Sequence, residues 1–167
     1  MSFLSAVKNT DGAVFEKYCA RMLKRLGYKR VRLTKQSGDN GADILCRKGM
    51  KKYAIQCKRQ ERNVSNKAVQ EAHSGKGFYD CDVAVVLTNS AFTEAAKGAA
   101  EKLGVILWDG EELKKMSWLA FGPSAGKVVK HMAESRVQNG LRIMITIVIA
   151  VIIIFITLLV LKHFSVI

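Results

Sequence analysis

Apolar positions recur at helical spacing over residues 11–26, where Val14, Phe15, Tyr18, Cys19, Met22, Leu23 and Leu26 fall on one face. Gly27 follows and is placed to end that helix. Over 28–34 the period drops to two. Val31 and Leu33 alternate with Arg30 and Arg32, which predicts a half-exposed strand with a basic face. Two short apolar strands, 43–46 and 53–58, are joined by the basic turn Arg47-Lys48-Gly49-Met50-Lys51-Lys52 and form a hairpin. Ser65 is placed to cap a helix over 66–74 with Val69 and Ala72 inward, and Gly75-Lys76-Gly77 is expected to break it. The β-branched run at 82–88 reads as a central strand buried on both faces. Phe92 and Thr93 form the staple and cap of a helix over 94–103, closed by Gly104. A fifth strand over 105–108 leads through Asp109-Gly110-Glu111-Glu112, with capping-box spacing, into a short helix ending near Met116.

The resulting order is α-β-β-β-α-β-α-β-α. Helices between the third, fourth and fifth strands imply parallel crossovers, so the fold class is α/β: a mixed sheet flanked by helices. Composition then changes. Residues 121–126 contain the only proline and read as a linker, and 127–139 form a weakly amphipathic basic segment. The run 143–161 carries no charge and is bracketed by Arg142 and Lys162. At about 1.5 Å per residue it is about 28 Å long, the thickness of a bilayer core, and it reads as a transmembrane helix. The expected organisation is a soluble domain over 1–118, a linker and basic juxtamembrane segment over 119–140, the membrane span over 141–162 and a tail over 163–167. Residues 1–12 have neither the apolar core nor the cleavage site of a signal peptide. Most basic residues precede the span, which places the N-terminal side in the cytoplasm. The basic juxtamembrane segment suits anionic membrane lipid.

Charge adds a partner class. Residues 1–118 hold 22 basic and 13 acidic side chains, a net of +9 that attracts polyanions. Cys19, Cys46, Cys57 and Cys81 make no Cys-x-x-Cys pair, and the three histidines are scattered. That argues against structural zinc and for reduced thiols in a cytosolic compartment.

The chemistry concentrates at 37–58. A Gly-rich loop, Ser37-Gly38-Asp39-Asn40-Gly41-Ala42, feeds Asp43 at a strand start. The second strand ends in Gln56-Cys57-Lys58, so Gln56 and Lys58 share a face that Cys57 leaves. A hairpin can bring Asp43 beside both, setting a carboxylate, an amide oxygen and an ammonium at one end. Mg²⁺ is often held by only one or two carboxylates plus waters and phosphate oxygens, and a lysine can orient the attacking water. The set suits metal-assisted phosphodiester hydrolysis. Glu16 lies near the first turn of the first helix, where the reading stays open between a solvated charge and a site carboxylate. Gln70 and Glu71 sit mid-helix, where the reading stays open between residues that face substrate and, the commoner case, a solvated helix face.

These residues resemble the Mrr-like (type IV) restriction endonuclease domain, a branch of the PD-(D/E)xK nuclease superfamily. The matching positions are Phe15-Glu16, Asp39-Asn40-Gly41-Ala42-Asp43, Gln56-Cys57-Lys58, Val85-Val86-Leu87-Thr88-Asn89, Phe92-Thr93, Ala95-Ala96 and Gly104-Val105. The resemblance implies a restriction-endonuclease-like fold and a DNA endonuclease using Mg²⁺ or another divalent cation such as Mn²⁺. It implies Asp43 as principal metal ligand, Gln56 and the Cys57 backbone carbonyl as further ligands, Lys58 as the residue that holds or activates water, and Glu16 as an accessory carboxylate. Arg30, Arg32, Lys35, Arg59 and Arg62 are candidates for phosphate contacts. Cutting both strands at once needs two sites, which suggests a homodimer. Two other readings use the same chain: a non-catalytic DNA-binding module on a membrane anchor, and a membrane adaptor that binds protein.

Overall fold

The computed structural model describes residues 3–34 and 40–164, with side chains over 6–34 and 40–154; Lys35, Gly38 and Asp39 lie outside the described residues. The first compact unit is Met1–Met132. Its elements are α1 (Phe3–Lys8), α2 (Gly12–Arg25), β1 (Lys29–Leu33), β2 (Ile44–Lys48), β3 (Lys51–Lys58), α3 (Asn66–Phe78), β4 (Val83–Thr88), α4 (Glu94–Leu103), β5 (Val105–Trp108) and α5 (Gly110–Phe121). A 3-10 turn, Gly122–Ser124, leads into α6 (Ala125–Phe164).

The five strands lie in sequence order in one sheet. β1, β2 and β3 are antiparallel neighbours, whereas β3, β4 and β5 are parallel. The parallel half needs crossovers, and α3 and α4 supply them. β3 is the middle strand and β4 lies between it and the edge strand β5, and the alternation of β4 divides the core. Val85 and Leu87 join Ile44, Ile55 and the buried face of α2 on one side, while Ala84 and Val86 pack with α3 and α4 on the other. Helices thus cover both faces, and the mixed α/β architecture expected from the pattern is the one observed.

Caps set several boundaries. Asp11 accepts from Val14 N at 2.8 Å to open α2, Thr93 accepts from Ala96 N at 3.1 Å to open α4, and Asp109 accepts from the amides of Glu111 and Glu112 to open α5. Ser65 holds the N-cap position of α3 with extended backbone, yet its side chain makes no cap hydrogen bond, contrary to its expected role.

Other differences have tertiary causes. Helix α3 runs through Gly75 and Gly77 instead of breaking. A Cβ at Gly75 would stand 2.5 Å from the Gly41 carbonyl oxygen, and one at Gly41 (φ 83°) would stand 1.9 Å from the Glu71 carbonyl oxygen. The two glycines therefore let the loop before Asp43 seat directly on the backbone of α3. Leu33, expected inward, is exposed because β1 is an edge strand whose register shifts between Lys29 and Arg32. The short α1 buries Ala6 and Val7. Residues beyond 118 also enter the first unit's core, with Val129 buried and Phe121, Val128 and Met132 packed against the α2 cluster.

The second unit, Ala133–Ile167, carries the remainder of α6. Among the described residues one helix is long and apolar enough to cross a membrane, and none of its apolar window is covered by protein. Thr146 donates back to the Arg142 carbonyl at 2.9 Å, which satisfies its hydroxyl within the helix.

The loop-on-helix contact generates opposite expectations for two glycines of α3. Gly75→Ala forces a methyl into the Gly41 carbonyl and destabilises by about 1–3 kcal/mol. Gly77→Ala, with nothing within 4 Å of its added Cβ, is neutral or stabilises by up to about 1 kcal/mol. Thermal unfolding of the two variants in detergent checks the sign of each.

Candidate active site

The site is built from the start of β2 and the end of β3. Register pairs Ile44 with Ile55, so Asp43, one residue before β2, lies across from the segment that ends in Gln56-Cys57-Lys58. The main chain of Asp43 is tied on both sides: its N–H donates to the Ile55 carbonyl and its carbonyl accepts from Thr34 N, both at 2.9 Å. The side chain is buried, 7% exposed. Its Oδ2 accepts from Gln56 Nε2 at 2.8 Å and from the Cys57 amide at 2.6 Å. The expected juxtaposition of Asp43 and Gln56 is present, with one refinement. The amide nitrogen of Gln56 faces the carboxylate, and the amide oxygen points elsewhere.

That oxygen matters because it is buried with no hydrogen-bond partner among the described residues. A buried unpaired carbonyl costs about 1–3 kcal/mol. A hard cation beside the Asp43 carboxylate would give it a partner, and the donors are all oxygen, as Mg²⁺ or Mn²⁺ prefers. Among the described residues no group of three or more His, Cys, Asp or Glu side chains forms a closed cage. An open site with few protein ligands is the arrangement in which substrate phosphate completes a Mg²⁺ shell. The residues present therefore fit a divalent cation.

Lys58 projects from the same sheet face as Gln56 and forms an ion pair with Glu71 of α3, Nζ to Oε2 2.7 Å. Both side chains are about one-third exposed, at 29% and 33%. At that exposure the pair contributes little stability. What it does is hold a flexible ammonium in one place. The chain around Lys58 is braced as well. Thr88 Oγ1 donates to the Lys58 carbonyl at 2.6 Å. Asn89, buried, accepts from Gln60 N at 2.9 Å and donates to Gln60 O at 3.0 Å, so its amide continues the β3–β4 ladder by one rung.

Behind the triplet, Cys57 turns into the α2 side of the sheet beside Cys19. Its thiol pKa is pushed well up, first by the hydrogen bond with Cys19, then by burial, then by the electrostatic influence of Cys19 and of the Asp43 and Glu16 carboxylates. Cys57 is thus a neutral thiol and no nucleophile. The same influence puts the Glu16 carboxylate, on the first turns of α2, in the neighbourhood of the site.

The basic candidates separate. Arg59 donates from Nη1 to the Lys8 carbonyl at 2.9 Å, so it fastens α1 to the end of β3. Arg62 is exposed on the loop after β3. Arg30 and Arg32 line a cavity with Arg47 and Lys52, away from the Asp43 end of β2. Lys35 lies outside the described residues. Glu71, Thr88 and Asn89 were not singled out as site residues by pattern. One signal for Glu71 was available: Gly75 follows at i+4, on the same helix face, and a glycine there marks a close approach of backbone.

Comparison with known proteins shows the family and the fold. The Mrr catalytic-domain family, described as restriction endonuclease, matches residues 7–117. The type IV methyl-directed restriction enzyme EcoKMrr of Escherichia coli (strain K12) is 31% identical over 107 residues, covering 59% of this chain and 35% of that enzyme. Among solved structures, the DNA modification-dependent restriction endonuclease AspBHI aligns with a TM-score of 0.59 at 18% identity, over 80% of this chain and 39% of that one. MspJI restriction endonuclease, solved in complex with a 27-mer oligonucleotide, aligns with a TM-score of 0.58 at 21% identity, over 79% of this chain and 34% of that one. The chain spans a little over a third of the length of these relatives. With the family matched across most of the first compact unit and the same fold found in two restriction endonucleases, the chain belongs to the Mrr catalytic family of restriction endonucleases.

Proposed function

We propose that the chain is a membrane-anchored endonuclease that hydrolyses DNA phosphodiester bonds with the help of a divalent cation, its first unit facing the cytoplasm. The observation that carries this reading is the buried Asp43 carboxylate beside the unpaired Gln56 oxygen, with Lys58 on the same face. Asp43 and the Gln56 amide oxygen would hold the cation, with the Cys57 carbonyl as a further ligand and Glu16 as an accessory carboxylate. When bound, the cation supplies Lewis-acid charge that offsets the negative charge developing on the phosphate.

The chain's own residues do the rest. The Cys57 amide and the Gln56 Nε2 fix the Asp43 carboxylate, so its position does not depend on ligand. Lys58 places its ammonium where it can orient the attacking water and stabilise phosphate oxygens. Glu71 is a positioning residue that keeps Lys58 on that vector. Direct attack by water on phosphorus needs no covalent intermediate, which fits a Cys57 thiol buried on the α2 side of the sheet. Exposed Arg62 and the basic surface of the first unit make phosphate contacts that orient DNA without reading its sequence. The apolar part of α6, bracketed by Arg142 and Lys162, is the anchor, and the basic residues before it favour a cytoplasmic first unit touching anionic lipid. Cutting both strands would take two copies, hence a homodimer.

Plasmid cleavage by the full chain in detergent tests the reading. Cleavage requires Mg²⁺ and stops with EDTA. Asp43→Asn and Lys58→Ala lower kcat at least ~100-fold, about 3 kcal/mol. Asparagine is the better test at 43, because alanine would strand the two donors that Asp43 satisfies. Glu71→Gln lowers kcat about tenfold with KM nearly unchanged. DNA binding that weakens with salt, without cleavage under any metal, would instead favour the tethered binding module.

A second expectation concerns metal binding alone. At ten times its Kd, Mg²⁺ stabilises the wild type by about 1.4 kcal/mol, roughly 3–5 °C in Tm. The shift vanishes in Asp43→Asn. An equal shift in both proteins would place the cation elsewhere.

A further inference from the structure

A second basic feature stands apart from the catalytic groups. Arg30, Arg32, Arg47 and Lys52 surround a cavity of about 260 Å³ at the far end of β2, floored by Leu45 and Cys46 and walled by Tyr79 and Cys81. Arg32 pairs with Leu45, and Arg47 with Lys52, in the sheet register. Strand residues two apart share a face, so Asp43, Leu45 and Arg47 project to the same side. The cavity therefore lies on the catalytic face, running from Leu45, about 7 Å along β2 from Asp43, to Arg47, about 13 Å from it.

Three observations separate it from ordinary surface charge. Like charges directly opposite on neighbouring strands repel, and the Arg47–Lys52 pair is such a case. Two carboxylates lie near Cys81 and both engage Lys52, Asp80 through its Nζ at 2.7 Å and Asp82 through its backbone N–H at 2.7 Å, while among the described residues no ion pair engages Arg30, Arg32 or Arg47. Finally, Arg30 sits at φ 51°, in the left-handed region, where the register of β1 shifts. A non-glycine residue adopts that backbone at a cost, and here it carries a third guanidinium to the same cavity.

We infer that this cavity is a phosphate-binding site, separate from the catalytic one, that grips the backbone of the DNA strand lying on the catalytic face. Guanidinium groups match phosphate oxygens in geometry as well as charge. The DNA assignment rests on the proposed nuclease function; the phosphate site itself does not. Arg30 and Arg32 thus act with Arg47 as a remote clamp on the backbone and take no part at the scissile bond.

Cys81 gives a direct readout, since it lines the cavity and is the one partly exposed thiol among four. The full chain in non-ionic detergent, with EDTA and at fixed ionic strength, is treated with iodoacetamide and labelling of Cys81 is followed by mass spectrometry. Inorganic phosphate slows labelling at least threefold, and a duplex oligonucleotide does so at far lower concentration. In the Arg32→Gln/Arg47→Gln double variant both effects are lost, and the dependence of log K for DNA on log salt flattens by roughly one to two. Circular dichroism shows whether the variant is folded, and protection of wild-type Arg30, Arg32 and Arg47 from phenylglyoxal by phosphate needs no variant. Unchanged labelling of Cys81 and of the arginines at saturating phosphate and DNA would overturn the site. Protection by phosphate, or by vesicles containing phosphatidylglycerol, but not by DNA would overturn the DNA assignment. Protection by DNA in a chain that never cleaves with Mg²⁺ would support the clamp and count against the nuclease reading alone.

Discussion

The constraint on which the site depends is the contact of two backbones, the loop at Gly41 against helix α3 at Glu71 and Gly75. It admits no side chain at either glycine. Through it the loop that delivers Asp43 and the helix that delivers Glu71 become one piece. Asp43 is thereby fixed relative to Glu71, and Glu71 in turn holds Lys58. Hydrogen bonds from Gln56 and Cys57 close the circuit on the sheet side. Packing of this kind is stiff because van der Waals repulsion rises steeply, and each member of the site inherits that stiffness.

Within that frame the polar chemistry is asymmetric. The Asp43 carboxylate is well supplied with donors, and the Gln56 oxygen beside it has none. A neutral amide attracts a cation less than a carboxylate does. Gln56 has a compensating use, because the same side chain both steadies Asp43 through nitrogen and offers an oxygen. A glutamate could not donate to Asp43, and two carboxylates at this spacing would repel. The combination leaves little net charge to bury and still provides two oxygens.

Much of the fold was legible because its signals are local. The single apolar face of α2, the unbroken apolar run of β4, Thr93 with Gly104 around α4 and Asp109 before α5 all act within a few residues. The pairing of Asp43 with Gln56 was legible for a similar reason, since a hairpin needs only a short turn. What was not legible depends on distant partners. Gly75 reads as a helix breaker until the Gly41 loop is laid across it. Glu71 reads as a solvated charge until β3 brings Lys58 alongside. Val128, Val129 and Met132 look weakly amphipathic because their helix finds its apolar partners on α2 and α5, far back in the chain. Arg30 and Arg32 were recognised as basic, but only the register with β2 separates them from Asp43.

The Asn89 rung has a thermodynamic consequence. Its amide bonds Gln60 in both directions, and Thr88 takes the carbonyl of Lys58, so the main chain on the far side of the lysine is already immobilised. The conformational entropy of that segment is surrendered when the chain folds. Little ordering is then left to oppose binding or the approach to the transition state, and more of the interaction energy with substrate remains for the reaction itself.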